Sequence, residues 1–181
     1  TSLEFDHADI YESMEQIEEE FTRLFHQIPS TGAMIICDEG KDIEAAYARW
    51  EQAGFAGKLL RYGIKEDSAF RLLERKPSEG MQHLRFQLRG RELEVETPLG
   101  GIHNALNLLG TAAVGDLCGL SLEEIKQGVE SFRGVVRRQQ LIAEVNDIRI
   151  LEDFAHHPTA VQLTLQGMKE QNLKRRLVAV F

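Results

Sequence analysis

Cysteine, proline and long apolar runs are scarce in this chain of 181 residues. Cys37 and Cys118 are too few for a disulfide framework or a cysteine-rich zinc site, which is typical of a protein kept in a reducing compartment. No apolar run approaches the roughly 20 residues that span a bilayer, and no secretory leader is recognisable. These absences predict a soluble, cytoplasmic protein with no membrane partner.

An excess of basic residues is missing as well. The chain has 21 Lys and Arg against 29 Asp and Glu, a formal net charge of −8. This balance disfavours a nucleic-acid partner, because binding phosphates along a nucleic acid requires a basic face. The acidic surplus lies in the first twenty residues, which contain no Lys or Arg and these acids: Glu4, Asp6, Asp9, Glu12, Glu15, Glu18, Glu19 and Glu20.

Hydrophobic periodicity predicts an α/β fold. Between residues 10 and 28, apolar side chains recur every three or four positions, as on one face of a helix. Residues 33–37 and 58–62 are short runs typical of strands, and a second helical stripe, residues 43–53, lies between them. The order strand, helix, strand is typical of a mostly parallel sheet with crossover helices.

The later part of the chain adds antiparallel hairpins and further helices. Period-two alternation predicts one hairpin over residues 84–96 and a second over residues 141–151. The other predicted elements are a helix at 102–118, a helix with the capping-box pair Ser121 and Glu124, a helix from Pro158, and a core strand at 177–181.

A domain boundary is predicted at Arg133–Gly134, between a helix and the second hairpin. It divides the chain into residues 1–133 and residues 134–181. The second part is too short to bury a core of its own comfortably. We therefore interpret it as the beginning of a further domain.

The usual phosphate-binding signatures are absent, since there is no Gly-x-x-x-x-Gly-Lys-Ser/Thr and no Gly-x-Gly-x-x-Gly. Four other clusters carry functional residue types. The first, residues 4–9, places His7 among carboxylates directly before a helix, which suits a divalent cation. The alternative is that Asp6 or Asp9 caps that helix.

The second cluster, residues 100–107, begins with two glycines before a helix. Gly100 and Gly101 would let a ligand approach the backbone. Asn104 and Asn107 share a helical face, where two amides suit the donor and acceptor edge of a purine. The alternative is an Asn N-cap followed by a buried Asn.

The other two clusters follow the predicted boundary. The arginines of residues 133–138 are rigid, permanently charged forks suited to phosphate, although basic surface pairs are commonly only solvated. Residues 152–158 place carboxylates, His156 and His157 at the end of a strand, where open α/β sheets bind ligands. A histidine pair also fits a metal site, but no third ligand accompanies it at zinc-like spacing.

In this order, the four clusters resemble the motifs of the Mur ligase family, the ATP-dependent amide-forming enzymes of peptidoglycan synthesis and recycling. The family motif Asp-His-x-Asp is matched at residues 6–9, Gly-x-His-Asn-x-x-Asn at 101–107 and Phe-x-Gly-x-x-Arg-Arg at 132–138. The family motif Asp-Tyr-x-His-x-Pro is matched at residues 153–158, except for its Tyr. The resemblance covers essentially the whole chain. It departs from the family at Phe154, where Tyr is common, at Ile102 and at Gln139-Gln140.

The resemblance implies a fold, cofactors and roles. Residues 1–133 would be the C-terminal portion of a central ATP-binding domain, and residues 134–181 the start of a Rossmann-like C-terminal domain. ATP and Mg²⁺ would be the cofactors, with His7 at the metal and His7 and Arg138 catalytic. The residues implied to bind ATP are His103, Asn104, Asn107, Arg138, Asp153 and His156, while the role of His157 stays open.

The resemblance is closest to the branch that acts on UDP-N-acetylmuramate. It implies that the muramate carboxyl becomes an acyl phosphate and is attacked by the amine of the murein tripeptide L-Ala-γ-D-Glu-meso-diaminopimelate, with L-alanine as the alternative amine. The family's phosphate loop would precede Thr1 and most of the peptide-binding domain would follow Phe181, so we expect a fragment that cannot ligate by itself.

Two other classes of function remain open from the sequence. One is a metal-dependent phosphoesterase, with His7, Asp9, His156 and His157 gathered around metal ions. The other is a non-catalytic module that binds an adenine nucleotide through Asn104 and Asn107 without turnover.

Overall fold

The computed structural model describes residues 3–7, 9–39, 41–52 and 54–180. Ala8, Ala53 and Phe181, which the sequence predictions include, lie outside these ranges. The chain forms α1 (Met14–His26), β1 (Ala33–Cys37), α2 (Lys41–Gln52), β2 (Lys58–Gly63), β3 (Phe70–Ser78), β4 (Met81–Leu88), β5 (Arg91–Thr97), α3 (Ile102–Leu117), α4 (Leu122–Ser131), β6 (Gln140–Val145), β7 (Ile148–Glu152) and α5 (Pro158–Gln171). The predicted α/β fold is confirmed.

A five-stranded sheet in the order β1-β2-β3-β4-β5 forms the centre. β2 runs parallel to both β1 and β3, whereas β3, β4 and β5 are antiparallel, so the sheet is mixed. The predicted first hairpin is β4–β5, which turns at Arg89 and Gly90 with φ of 47° and 84°. Positive φ at both turn residues matches the twist of the flanking strands.

The sequence pattern misses β3. The register between β3 and β4 shifts between Leu72 and Glu74, which is a bulge. An extra residue reverses the face to which the later side chains point, so the alternation that identifies a strand is lost. Pro77 further weakens the strand pattern, because proline cannot donate to a ladder.

Helices cover both faces of the sheet and divide the core in two. On one face α3 packs against the strands, with Phe70, Phe86 and Leu109 fully buried. On the other face α1 and α2 meet, and the rings of Phe25 and Trp50 lie 3.8 Å apart edge to face. β1 contributes side chains to both cores, because alternate side chains of a strand point to opposite faces of the sheet.

Two sequence predictions are wrong at the ends of elements. α1 begins at Met14, so Ile10 lies outside the helix and is 67% exposed. Residues 177–180 form no strand, and Val178 and Val180 are exposed. A strand requires a neighbour for its backbone hydrogen bonds, and in the described part of the chain β6 and β7 pair with each other alone.

Residues 134–180, the second segment, pack against residues 3–131, the first segment. The predicted second hairpin is β6–β7, which turns at Asn146 and Asp147 with φ of 48° and 63°. α5 begins at Pro158 as predicted and contacts β3 and α3. No helix in the described ranges is long and apolar enough to cross a bilayer.

Candidate functional site

A cleft of about 1950 Å³ runs between the two segments. Its lining includes residues from the loop before α1, from α3, from the turn before β6 and from the loop before α5. All seven residues singled out from the sequence line it: His7, His103, Asn104, Asn107, Arg138, Asp153 and His156. The fold therefore brings residues more than 140 positions apart in sequence to one cavity.

The glycines before α3 have a different use from the predicted one. Gly101 takes φ of 89°, a conformation that favours glycine. A Cβ on Gly100 would lie 2.3 Å from the Gln171 carboxamide oxygen, and one on Gly167 would lie 2.7 Å from the Cα of Gly101. These glycines thus admit the close approach of helix α5, a use that the sequence did not predict, and the approach of a ligand to this backbone stays a prediction.

The two asparagines of α3 occupy separate environments. Asn104 is half-buried and its Nδ2 donates to the carbonyl of Gly100 at 2.7 Å, which orients the amide. Asn107, one turn further on, is exposed at the cleft wall. The alternative of an Asn N-cap with a buried second Asn is wrong, because Gly101 is the N-cap and makes no side-chain cap.

His103 has a buried ring with an unused nitrogen. Its Nδ1 is buried without a hydrogen-bond partner, and its Nε2 lies 3.4 Å from Nε2 of Gln139. Burial lowers the pKa of His103 below its usual value, and the nearby Asp153 carboxylate offsets this only in part. The neutral ring is therefore favoured near neutral pH, with one ring nitrogen able to accept a hydrogen bond.

The Asp153 carboxylate is held by backbone donors. Its Oδ2 accepts from the Gln139 amide at 2.9 Å, and its Oδ1 accepts from the Ala155 amide at 2.7 Å. Nη1 of Arg138 lies 3.9 Å from Oδ1. A carboxylate accepts about four hydrogen bonds, so this arrangement fixes Asp153 and leaves capacity for a further donor such as a sugar hydroxyl.

The turn that carries Arg138 holds its neighbours in left-handed backbone. Arg137 and Gln139 have φ of 62° and 49°. Such conformations are uncommon for residues other than glycine, and they persist where the surroundings fix them. The Phe154 amide supplies one fixing contact, donating to the Arg137 carbonyl at 2.8 Å. Arg138 is thereby aimed into the cleft with about half of its side chain exposed.

Phe154 is a cleft residue that the sequence reasoning did not place in the site. The guanidinium carbons of Arg137 and Arg138 lie 4.9 and 5.7 Å from its ring centroid, and His156 meets the ring edge at 5.4 Å. Cation–π attraction operates over these distances. The signal that could have found it is an aromatic residue in the short loop between Asp153 and His156.

The loop before α1 presents His7 to the cleft. The Asp6 Oδ1 accepts from the His7 amide at 2.8 Å, which is the largest cause of the lowered pKa of Asp6. The carbonyl of His7 accepts from the amides of Ile10 and Tyr11, forming a turn. Neither Asp6 nor Asp9 caps α1, because Ser13 is the N-cap, so that alternative is wrong.

The described residues contain no cluster of three His, Cys, Asp or Glu side chains that could hold a metal ion. The phosphoesterase alternative requires His7, Asp9, His156 and His157 to converge, and the described residues show no such cluster. The loop does fit Mg²⁺ bound mainly by phosphates and water, since that ion commonly takes only one or two protein ligands. His157 instead faces Glu4, with 3.5 Å between Nδ1 and Oε2.

Comparison with known proteins identifies the family. Residues 1–115 match the model of the Mur ligase middle domain, and residues 137–181 match the Mur ligase, glutamate ligase domain. The chain belongs to the Mur ligase family. The motif resemblance is thus confirmed at the level of the family, and the cleft lies where the two Mur ligase domains meet.

Relatives of this Mur ligase chain include UDP-N-acetylmuramate–L-alanine ligases. That of Salinibacter ruber is 35% identical over 184 residues, covering 100% of this chain and 37% of the relative. The crystal structure of the corresponding ligase from Thermotoga maritima matches with a TM-score of 0.72 and 25% identity, covering 93% of this chain and 37% of that one. A murein peptide ligase from Psychrobacter arcticus matches with a TM-score of 0.64 and 28% identity, covering 90% and 33%.

The chain therefore spans little more than a third of the length of these relatives. The sequence motifs identified the family. The murein tripeptide, which they favoured as the amine, is supported less well by these relatives than the alternative, L-alanine.

Proposed function

We propose that this chain supplies the adenine, ribose and phosphate contacts of an ATP-dependent ligase that acts on UDP-N-acetylmuramate. The observation that carries the proposal is the convergence of His7, Asn104, Arg138 and Asp153 on one cleft at the junction of two Mur ligase domains. A carboxylate is a poor electrophile, so amide formation requires its activation. Transfer of the γ-phosphoryl group of ATP to the muramate carboxyl would give an acyl phosphate, with ADP leaving.

Each cleft residue has a part suited to its chemistry. The amides of Asn104 and Asn107 offer donors and acceptors to the adenine edge, and His103 offers an acceptor beside them. The free lone pairs of Asp153 accept from ribose hydroxyls. Arg138 stabilises the negative charge of the transferring phosphoryl group, and His156, which lines the same cleft, contacts the ATP.

His7 would bind Mg²⁺ together with phosphate oxygens and water. When bound, the ion supplies Lewis-acid stabilisation of the charge that develops on phosphoryl transfer. The Asp6 carboxylate, whose Oδ1 accepts from the His7 amide, adds negative charge beside His7 and so favours a cation in the loop.

We propose L-alanine as the amine, on the similarity to the alanine ligases of Salinibacter ruber and Geotalea daltonii, which are 35% and 31% identical to this chain. The murein tripeptide is the second candidate. It is favoured by the similarity to the Psychrobacter arcticus murein peptide ligase and by the segments 4–9 and 153–160, which resemble the recycling branch.

The test is a ligation assay of the complete gene product with ATP, Mg²⁺ and UDP-N-acetylmuramate, supplied with either L-alanine or the tripeptide. We expect ADP release that depends on one of the two amines. Arg138→Ala should lower kcat by about 100-fold, as loss of a charge-stabilising donor commonly does. Asn104→Ala should raise the KM for ATP.

Gln127→Ala is the matched control, because Gln127 is an exposed carboxamide on α4 outside the cleft lining. It should leave both constants unchanged. Nucleotide binding without ADP release in the presence of either amine would support the non-catalytic alternative. Absence of nucleotide binding would overturn the proposal altogether.

A further inference from the structure

The contact between α5 and the loop before α3 joins the two sides of the cleft. Gly167 lies against Gly101 so closely that a Cβ there would meet backbone atoms of Gly101 at 2.7 and 2.9 Å. Backbone cannot move away as a flexible side chain can. The two main chains are thus packed directly on one another, with no side chain between them.

Polar contacts surround this glycine pair. Nε2 of Gln171, itself buried, donates to the Pro98 carbonyl at 3.3 Å, and the Gly80 amide donates to the Gln171 carbonyl at 3.4 Å. On the first segment, Gln82 is fully buried and its Nε2 donates to the carbonyls of Leu99 and Gly101. The loop from Pro98 to Gly101 is therefore held from both segments.

One ion pair links these contacts. Nη1 of Arg75 on β3 donates to Oε2 of Glu170 on α5 at 2.7 Å, and the two side chains are only 17% and 24% exposed. The same Nη1 lies 3.3 Å from Oε1 of Gln82. Arg75 thus binds at once the helix of the second segment and the glutamine that holds the loop of the first.

The loop and the helix lead directly to cleft residues. The carbonyl of Gly100 accepts from Asn104, so the loop sets the orientation of that amide. At its other end, α5 begins beside His157 and follows the loop that carries Asp153. A shift of α5 on the glycine pair would therefore move both walls of the cleft relative to each other.

Resting on the proposed function, we propose that Arg75 and Glu170 are positioning residues. With Gln82 and the Gly101–Gly167 contact, they form a joint that fixes the nucleotide cleft without touching the nucleotide. The contacts of this joint are polar or between glycines, and they hold α5 against the loop before α3, where neither hydrophobic core extends.

The experiment uses the complete gene product and two measurements: the dissociation constant of ADP, and hydrogen exchange of the amides of residues 99–105. Glu170→Gln and Gly167→Ala should each weaken ADP binding about fivefold, the scale of a typical coupling between sites, and should speed exchange in the loop. The reversed pair Arg75→Glu with Glu170→Arg should recover most of the loss seen with Glu170→Arg alone.

Matched controls separate position from simple damage. Gln127→Ala alters an exposed side chain on α4 outside the cleft lining, and Glu92→Gln breaks the exposed pair with Arg85 on the hairpin. Both should leave ADP binding and loop exchange as in the unaltered protein. If the variants at Gly167 and Glu170 show the same loop exchange as the controls, the positioning role is overturned, whether or not ADP binds. If the unaltered protein does not bind ADP, the proposed function alone is overturned.

Discussion

The two segments of the molecule bury different kinds of side chain. In the first segment most of the largest fully buried side chains are apolar, such as Phe70, Phe86 and Leu109. In α5 of the second segment the buried residues are Thr164, Gly167 and Gln171, which are small or polar. Many large apolar side chains of the second segment are exposed instead: Val135, Val136, Leu141, Ile142, Val145, Ile148, Ile150, Leu151, Phe154, Leu173, Leu177, Val178 and Val180.

This difference assigns separate physical tasks to the segments. Burial of apolar surface is the dominant favourable contribution to folding, so the first segment carries the stability of the described chain. The second segment contributes Arg138, Asp153 and His156 to the cleft and contacts the first through glycines and hydrogen bonds. Substitutions in the two segments should therefore affect different measurements.

The largest effect is expected in the first core. Leu109 on α3 is fully buried against the sheet. Leu109→Ala should lower the free energy of unfolding by about 3 kcal/mol, because it removes buried apolar atoms and leaves a cavity. Urea denaturation measures this value. A loss below about 1 kcal/mol would mean that the first segment does not carry the stability.

A smaller effect is expected at Asp116, a buried carboxylate near the end of α3. It accepts from Nε of Arg89 at 2.6 Å and from Nη2 of Arg91, and so holds the β4–β5 turn on the helix. Asp116→Asn should lower the free energy of unfolding by about 2 kcal/mol, since it replaces charge-assisted hydrogen bonds by an amide that faces two cations. Glu92→Gln on the same hairpin, where the pair with Arg85 is exposed, should change it by less than about 1 kcal/mol. Equal losses would contradict the role of burial.

Much of the fold follows from local sequence pattern. The capping box is one case: Ser121 Oγ accepts from the Glu124 amide and Glu124 accepts from the Ser121 amide, as the spacing predicts. The hairpins are another, because Asn146, Asp147 and Gly90 tolerate the positive φ that these turns require. β3 does not follow from the sequence pattern, since its bulge breaks the alternation. The start of α1 was predicted too early, because Ile10 continues the apolar spacing of the helix without packing on the core.

The candidate site shows the same division. Residue type, order and the resemblance to the Mur ligase motifs selected His7, Asn104, Arg138 and Asp153, and all four line one cleft, while their roles stay predictions. The use of Gly100 and Gly101 could not be predicted, because it depends on Gly167 some 66 positions away. Likewise Glu18 of α1 is half-buried and pairs with Arg49 of α2, a contact that depends on how the two helices pack and that the local sequence does not predict.

The free energy of unfolding should depend weakly on pH through His103, which lies in the cleft between the segments. Burial lowers its pKa in the folded chain below the usual value of 6.5. The unfolded chain therefore takes up the proton first, so the contribution is fully present above about pH 6.5 and decreases as the pH falls further. His103→Asn should flatten the acidic side of the unfolding free energy measured against pH. An unchanged slope would show that the ring is protonated equally in both states.

The smallest effect is expected in the second segment at Leu173, which is 84% exposed. Leu173→Ala is the same substitution as Leu109→Ala, yet it removes side-chain atoms that already contact water. The free energy of unfolding should change by less than about 0.5 kcal/mol, as for most surface sites, and urea denaturation of both variants provides the comparison. A loss close to that of Leu109→Ala would mean that the apolar residues of the second segment are buried in solution. The contrast between the segments would then reflect what covers residues 173–180 rather than a division between stability and ligand binding.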